Sequence, residues 1–406
     1  MTALSAAPTS LWRNRDYMLL WCGQAVNVLG TQVSQIAFPL LVLALTHSPA
    51  QAGFVAAART VPWLVFALPA GALVDRWNRK RVMILCSAGS AFALASIAVA
   101  YALAVLTIWQ IIIVSFVEGT LGLVFGLAES SALPHVVTKE QLPTAVAQQN
   151  AQYSVAALVG PPLGGALYSI SHLLPFLVDS ASYIVSAGSL GFIRTQFQRV
   201  QNAARQSLLW DIGEGIAWLW RQPLIRYMAF LTGSINFTSG LSLIIIVLAT
   251  QQGASATAIG AIFAVAGVGG ICGAVLAPKI QRRLTFGQAI IGLCWFFAIS
   301  FASFAFARTL LAIALLLMVE YLVSPTYDTV QYSYRLALIP DALQGRVNSV
   351  FRLVALGMQP LGLALTGILL EYIGAEPTIL ALAAWLTVVA LITTVNGHVR
   401  HAPAIT

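Results

Sequence analysis

Most of this chain consists of long apolar runs separated by short polar breaks. A membrane-spanning helix needs about 20 predominantly apolar residues. The pattern supplies twelve such runs, at 17–46, 50–74, 82–104, 107–131, 143–170, 173–194, 223–250, 253–278, 285–307, 309–334, 343–372 and 375–397. Breaks as short as His47-Ser48-Pro49 join antiparallel neighbours. The first run is far longer than the apolar core of a signal peptide, so it is read as an uncleaved span. One stretch is different. Thr195 to Ser207 is polar, and then Leu209, Ile212, Ile216 and Leu219 recur at helical spacing beside Trp210, Trp218 and Trp220. That predicts an amphipathic helix on the inner leaflet. It divides the chain into six spans over 1–194, a linker over 195–222, and six spans over 223–406. The expected fold class is an all-α membrane protein of two six-helix bundles.

Composition agrees. Of 406 residues, 59% are apolar and 8% are charged, where a soluble domain carries about 25% charged. A soluble enzyme, a disordered chain and a nucleic-acid binder are excluded. The net charge of +8 reads as topology. With the N-terminus in the cytoplasm, all of the 21 Lys and Arg except Arg59 and Arg308 fall on the cytoplasmic side. The positive-inside rule therefore puts both termini in the cytoplasm of a multi-pass protein of the cell (inner) membrane. Cys22, Cys86, Cys272 and Cys294 sit in apolar runs and read as small core residues.

The halves carry traces of an internal repeat. Gly71-Ala72-Leu73-Val74 and Glu118 recur 202 positions later as Gly273-Ala274-Val275-Leu276 and Glu320. Asn150 and Pro162-Leu163-Gly164 recur 198 positions later as Asn348 and Pro360-Leu361-Gly362. Duplicated bundles of this kind place a substrate site between the halves near the midplane.

Three motifs carry a family resemblance over the whole chain. Gly71-Ala72-Leu73-Val74-Asp75-Arg76-Trp77-Asn78-Arg79-Lys80-Arg81 resembles motif A of the major facilitator superfamily, with Asn78 where glycine is usual. Asparagine tolerates the left-handed turn expected there. Gly160-Pro161-Pro162-Leu163-Gly164-Gly165 resembles motif C, which that superfamily associates with antiporters. Trp12-Arg13-Asn14, Arg59-Thr60-Val61-Pro62 and Gly345-Arg346-Val347 resemble the bacterial branch of macrolide-efflux proteins and the enterobactin exporter. The motif B arginine has no counterpart, since Ser115 stands in its place. The resemblance implies a monomeric secondary transporter that exports an amphipathic small molecule, a drug or a siderophore. An importer or a lysolipid carrier on the same fold, or a non-transporting membrane sensor, are the alternatives. In motif A, Asp75 would latch the cytoplasmic ends, and Arg76, Arg79, Lys80 and Arg81 would hold lipid phosphates. In motif C, Gly160, Gly164 and Gly165 would allow close helix approach while Pro161 bends the fifth span.

Polar residues inside a bilayer are costly, about 2.5–3.5 kcal/mol for a charge at mid-helix on insertion scales, so their positions carry information. Gln24, Asn27, Thr31 and Ser34 share a face of span 1, and Ser115, Glu118, Gly122 and Glu129 share one of span 4. Span 7 offers Thr232, Asn236 and Ser239, and span 10 offers Glu320, Ser324, Tyr327, Asp328 and Gln331. Spans 1, 4, 7 and 10 are expected to line a polar cavity, with Tyr153 among its aromatics, while spans 3, 6, 9 and 12 face lipid. The alternative is that these polar residues join helices to one another. Glu118 falls near mid-membrane, with Arg59 at a similar depth. The pair reads either as a structural ion pair or as the carrier of a coupling proton, because desolvation favours the neutral form of a carboxyl. Asp328 and Glu320 follow Glu118 as carriers. No nucleotide-binding loop, metal-ligand motif or nucleophile motif occurs. No enzyme activity, cofactor or metal is implied. The expected partners are a small molecule, protons and the lipid bilayer.

Overall fold

The computed structural model describes residues 11–74, 76–197, 208–340 and 343–402. The long helices are α1 (Arg15–Thr46), α2 (Pro49–Val74), α3 (Arg79–Ala102), α4 (Ile108–Val136), α5 (Leu142–Ile170) and α6 (Leu174–Phe192). A linker helix α7 (Leu208–Arg221) precedes α8 (Pro223–Asn236), α9 (Leu241–Gln251), α10 (Ala256–Gln281) and α11 (Phe286–Ser303). The chain continues as α12 (Leu310–Leu338), α13 (Gln344–Ile373) and α14 (Ala375–Val395), with a short α15 (Gly397–Arg400). Among the described residues, nine helical segments are long and apolar enough to cross a bilayer. Polar breaks start these helices by capping. Asn14 accepts the Tyr17 amide at 3.1 Å, and Thr107, Ser255, Thr285 and Thr309 cap α4, α10, α11 and α12 in the same way. Each side-chain oxygen satisfies an amide that a helix start leaves without a partner.

Each of the twelve expected spans appears as helix, one of them interrupted. Span 7 is two helices, α8 and α9, separated by a turn at 237–240. Gly240 is pressed against Thr366 of α13, where an added Cβ would lie 2.3 Å from its hydroxyl oxygen. The break therefore belongs to the α13 contact.

Packing follows a two-fold rule. In the first half, α1 packs on α5 and α6, α2 on α4, and α3 on α4 and α6. In the second, α8 packs on α13, α10 on α12, and α11 on α12 and α14. A shift of six spans carries each second-half pair onto a first-half pair; α1 on α6 has only a slight counterpart, where α8 and α9 touch α14. The same shift exchanges the main contacts between halves, α2 on α13 and α5 on α10. Uncovered apolar surface occurs on α3 and α14, two of the spans expected to face lipid. Leu85, Phe92 and Val99 form an uncovered stripe on α3, and Val388, Leu391 and Val395 one on α14. The inner-leaflet reading of α7 needs correcting in part. Leu219 is buried, Gly215 lies against the Arg346 carbonyl, and Glu214 pairs with Arg346, so α7 docks on the start of α13. Ile216 and Trp220 remain uncovered.

Candidate functional site

A cavity of about 730 Å³ lies between the halves. Its first wall is built from α1, α2 and α4, and includes Gln24, Asn27, Thr31, Arg59, Ser115, Glu118 and Glu129. Tyr153 and Pro161 of α5 also face it. The opposite wall holds Ser239, Ser242, Phe263, Tyr321, Arg352 and Gln359. Four buried polar atoms of the lining have no protein partner among the described residues: Asn27 Oδ1, Ser115 Oγ, Glu118 Oε2 and Ser239 Oγ. Buried polar groups in proteins are nearly always satisfied, so these atoms suit a ligand or water.

One end of the cavity is closed by direct contact between the halves. Gly165 of α5 sits against α10, where an added Cβ would lie 2.2 Å from the Ala256 carbonyl oxygen. Ser169 and Thr257 share a hydrogen bond of 2.9 Å beside it. Glu371 of α13 accepts from the Ala50 amide at 3.0 Å and from Ser48 Oγ, capping the start of α2. A carboxylate at a helix start is favoured by the helix dipole.

The Arg59–Glu118 pair is the centre of the site. Arg59 Nη2 donates to Glu118 Oε1 at 2.7 Å. Gly119 makes this approach possible, since an added Cβ there would meet the Arg59 carbonyl oxygen at 2.0 Å. Tyr183 donates to the same Glu118 oxygen at 3.4 Å, and its hydroxyl lies 3.4 Å from Thr31 Oγ1. Arg59 also stands over the Phe38 ring at 5.8 Å, a cation–π arrangement. Glu118 is 3% exposed and the Arg59 side chain 23%. Glu129, also buried, accepts from Gln149 Nε2 at 2.7 Å.

The second half departs from the sequence expectation. Asn236, Glu320, Ser324, Tyr327, Asp328 and Gln331 do not line the cavity. Several of these polar groups are taken up by neighbouring helices. Thr232 Oγ1 meets Tyr327 Oη at 2.8 Å and accepts from Gln331 Nε2 at 3.2 Å, while Asn236 donates to the Ala355 carbonyl at 2.8 Å. The stripes of spans 7 and 10 are largely mutual glue. Asp328 lies at an uncovered position of α12, and Glu320 is partly buried outside the cavity lining. Thr232→Val should therefore destabilise the protein by about 1–2 kcal/mol, the scale for leaving a buried hydrogen-bonding group without its partner. Dye transport should be unchanged, as read by a thermal melt alongside a transport assay.

The sequence reading passed over several cavity residues. Arg352, assigned above to the cytoplasmic surface, lines the cavity with its guanidinium 5.4 Å from the Trp63 ring. Span 6 was expected to face lipid, yet Asp179, Ser182, Tyr183 and Ser186 are buried. Their spacing of three and four along one face was the signal.

The motifs resolve unevenly. Asp75 lies outside the described residues. Gly71 has open space beside it. Asn78 has φ −66° rather than a left-handed turn, and it caps α3 by accepting the Arg81 amide at 3.1 Å. Arg79 donates to the carbonyls of Ser131 and Phe197, and Lys80 to those of Gly191 and Ile193. These two therefore tie helix ends together, where lipid phosphates were expected. Arg76 and Arg81 are exposed. In motif C, Gly160 and Gly164 seat α1 at Gln32 and Val33.

Comparison with known proteins identifies relatives of the chain. A family profile described as transmembrane secretion effector matches residues 6–404. The chain is 28% identical over 371 residues to the multidrug efflux pump Tap of Mycobacterium tuberculosis strain H37Rv, covering 87% of each protein. It is 26% identical over 233 residues to macrolide efflux protein A of Streptococcus pyogenes, covering 55% of each. Among solved structures it resembles the nucleoside transporter NupG, with a TM-score of 0.74, 14% identity, and coverage of 94% of this chain and 98% of that one.

Proposed function

The chain belongs to the transmembrane secretion effector family of the major facilitator superfamily, and from that premise we propose that it exports an amphipathic small molecule across the cell membrane in exchange for protons. Alternating access would work between the halves 1–194 and 223–406, joined by the linker 195–222. The observation that carries this reading is the Arg59–Glu118 pair in the wall of a cavity closed at one end. The relatives' names add efflux as the direction. The positive-inside pattern supports cytoplasmic termini, which makes the closed end the outer one and the cavity inward-facing. The protein acts as a monomer in this reading.

The lining supports an amphipathic substrate. Amides and hydroxyls (Gln24, Asn27, Thr31, Gln359) alternate with aromatic surface (Trp63, Tyr153, Phe263, Tyr321). Such a lining holds mixed ligands without demanding one hydrogen-bond pattern. Glu118 is the group proposed to take the proton. When it is neutral, Arg59 loses the ion pair, and the wall that both belong to becomes free to rearrange. Motif A, with Asp75, is proposed to latch the opposite end when the cavity faces outward.

The test uses everted vesicles from a host lacking its own pumps. An imposed pH gradient should drive uptake of amphipathic dyes. Glu118→Gln should abolish that uptake with protein level unchanged. Full gradient-driven uptake in Glu118→Gln would sink the proposal.

A further inference from the structure

Asp179 of α6 is 0% exposed. Its Oδ2 accepts from Ser34 Oγ of α1 at 2.5 Å, and its Oδ1 from Ser182 Oγ at 3.2 Å. Two helices come together around it. An added Cβ at Gly30 of α1 would meet Ser182 Oγ at 2.3 Å and Asp179 Oδ1 at 2.8 Å. No Lys, Arg or His forms a salt bridge with this carboxyl among the described residues. On the α3 side, its neighbour Ser180 is bonded to the Ala91 carbonyl at 2.8 Å. From α1 it meets the uncharged Ser34, whose hydroxyl also lies 3.1 Å from the Thr31 carbonyl oxygen. One turn along α6 from Asp179, Tyr183 bonds the Glu118 oxygen that Arg59 holds, at 3.4 Å, so Asp179 lies within a helical turn of the Arg59–Glu118 pair.

The charge count is therefore unequal. One guanidinium stands among two carboxyls. Burying a lone carboxylate with only hydroxyl partners is costly even after relaxation, whereas the neutral acid can be satisfied by two serines. A neutral cluster must hold one proton. With Glu118 paired to Arg59, that proton belongs on Asp179.

We propose that Asp179 is a second proton-binding carboxyl of this site, exchanging charge with Glu118 so that Arg59 always faces one carboxylate. This rests on the reading of Glu118 as the coupling group, and extends it. When Asp179 gives up its proton, Glu118 takes it, and Arg59 passes from one carboxylate to the other. One O–H bond forms at Glu118 and one breaks at Asp179. The net charge of the cluster is the same before and after. Asp179 touches no cavity surface, so it acts on transport through Arg59 and Glu118.

Infrared spectroscopy of the full-length protein in lipid tests this without a substrate, by reading the C=O stretch of a neutral carboxylic acid at neutral pH. Wild type minus Asp179→Asn should show one such band. The band should disappear in Glu118→Gln, because Asp179 then ionises to serve Arg59. It should return in Arg59→Met/Glu118→Gln, where no cation needs it. Ser34→Ala, which leaves both charged partners in place, should shift the band. A spectrum unchanged by Asp179→Asn overturns the proposal, as does a band that persists undiminished in Glu118→Gln. The vesicle assay separates the two readings. If Glu118→Gln still transports with the pH gradient, the coupling role of Glu118 fails, whatever the infrared bands do.

Discussion

Gly165→Ala is expected to cut transport about five- to hundredfold while leaving the protein folded. The methyl group would point at the α10 backbone, 2.2 Å from the Ala256 carbonyl oxygen and 3.3 Å from Gly260 Cα. Backbone cannot step aside as a flexible side chain can, so α5 and α10 must separate. Overpacking of this kind costs about 1–3 kcal/mol. Only the state in which this end is closed bears that cost. A two-state equilibrium responds tenfold for about 1.4 kcal/mol, so the population shifts toward the state with this end open. Transport needs both states and slows accordingly. In a background without native cysteines, a cysteine placed at Ser169, beside the seam, should become more reactive to a membrane-impermeant thiol reagent added outside. Gly188→Ala, with open space around it, should change neither reading. Unaltered transport in Gly165→Ala would show that this seam need not close.

Most of the architecture could be read from the chain because a bilayer leaves little choice. Backbone groups in hydrocarbon must bond within their own helix, so apolar run length sets the spans, and the polar breaks supply the caps. Span 7 was misread as continuous because its break at 237–240 is set by contact with α13, which local pattern does not record. The site was legible by halves. Gln24, Asn27 and Thr31 of span 1 and the stripe of span 4 do line the cavity, whereas Ser34 turns to Asp179, and Arg59 and Glu118 do meet. Spans 7 and 10 carry stripes of the same kind, but Thr232, Tyr327 and Gln331 satisfy one another. A polar stripe on one helix looks the same whether water or another stripe lies opposite. Asp179 was overlooked for a related reason. Span 6 was assigned to lipid by the three-span alternation, although Leu177, Ile184 and Phe192 are uncovered on one side while Asp179, Ser182 and Tyr183 occupy the other. The capping role of Asn78 was missed because the motif resemblance directed attention to a left-handed turn, while the residue type suited a helix start equally well.

Removing Glu118 without Arg59 should be the most damaging single change to stability at the site, and removing both should repair most of it. Glu118→Gln leaves a guanidinium that is largely buried without its direct carboxylate. Breaking a buried pair from one side costs about 3–5 kcal/mol. The 23% exposure of Arg59 and the nearby Asp179 both soften this, so about 2–3 kcal/mol is expected on that scale. Arg59→Met should cost less, because a buried carboxyl can take a proton where a guanidinium cannot lose one. The double variant Arg59→Met/Glu118→Gln has no buried charge left at this pair, and replacement of both partners is commonly near neutral. Melting temperatures in one detergent should therefore rank wild type and the double variant together, then Arg59→Met, then Glu118→Gln. A double variant no more stable than Glu118→Gln would mean the two side chains do not interact. The same protein also separates a structural pair from a coupling pair. If the pair only holds α2 to α4, the double variant recovers gradient-driven transport along with its stability. If Glu118 carries the proton, stability returns and the response to the pH gradient does not.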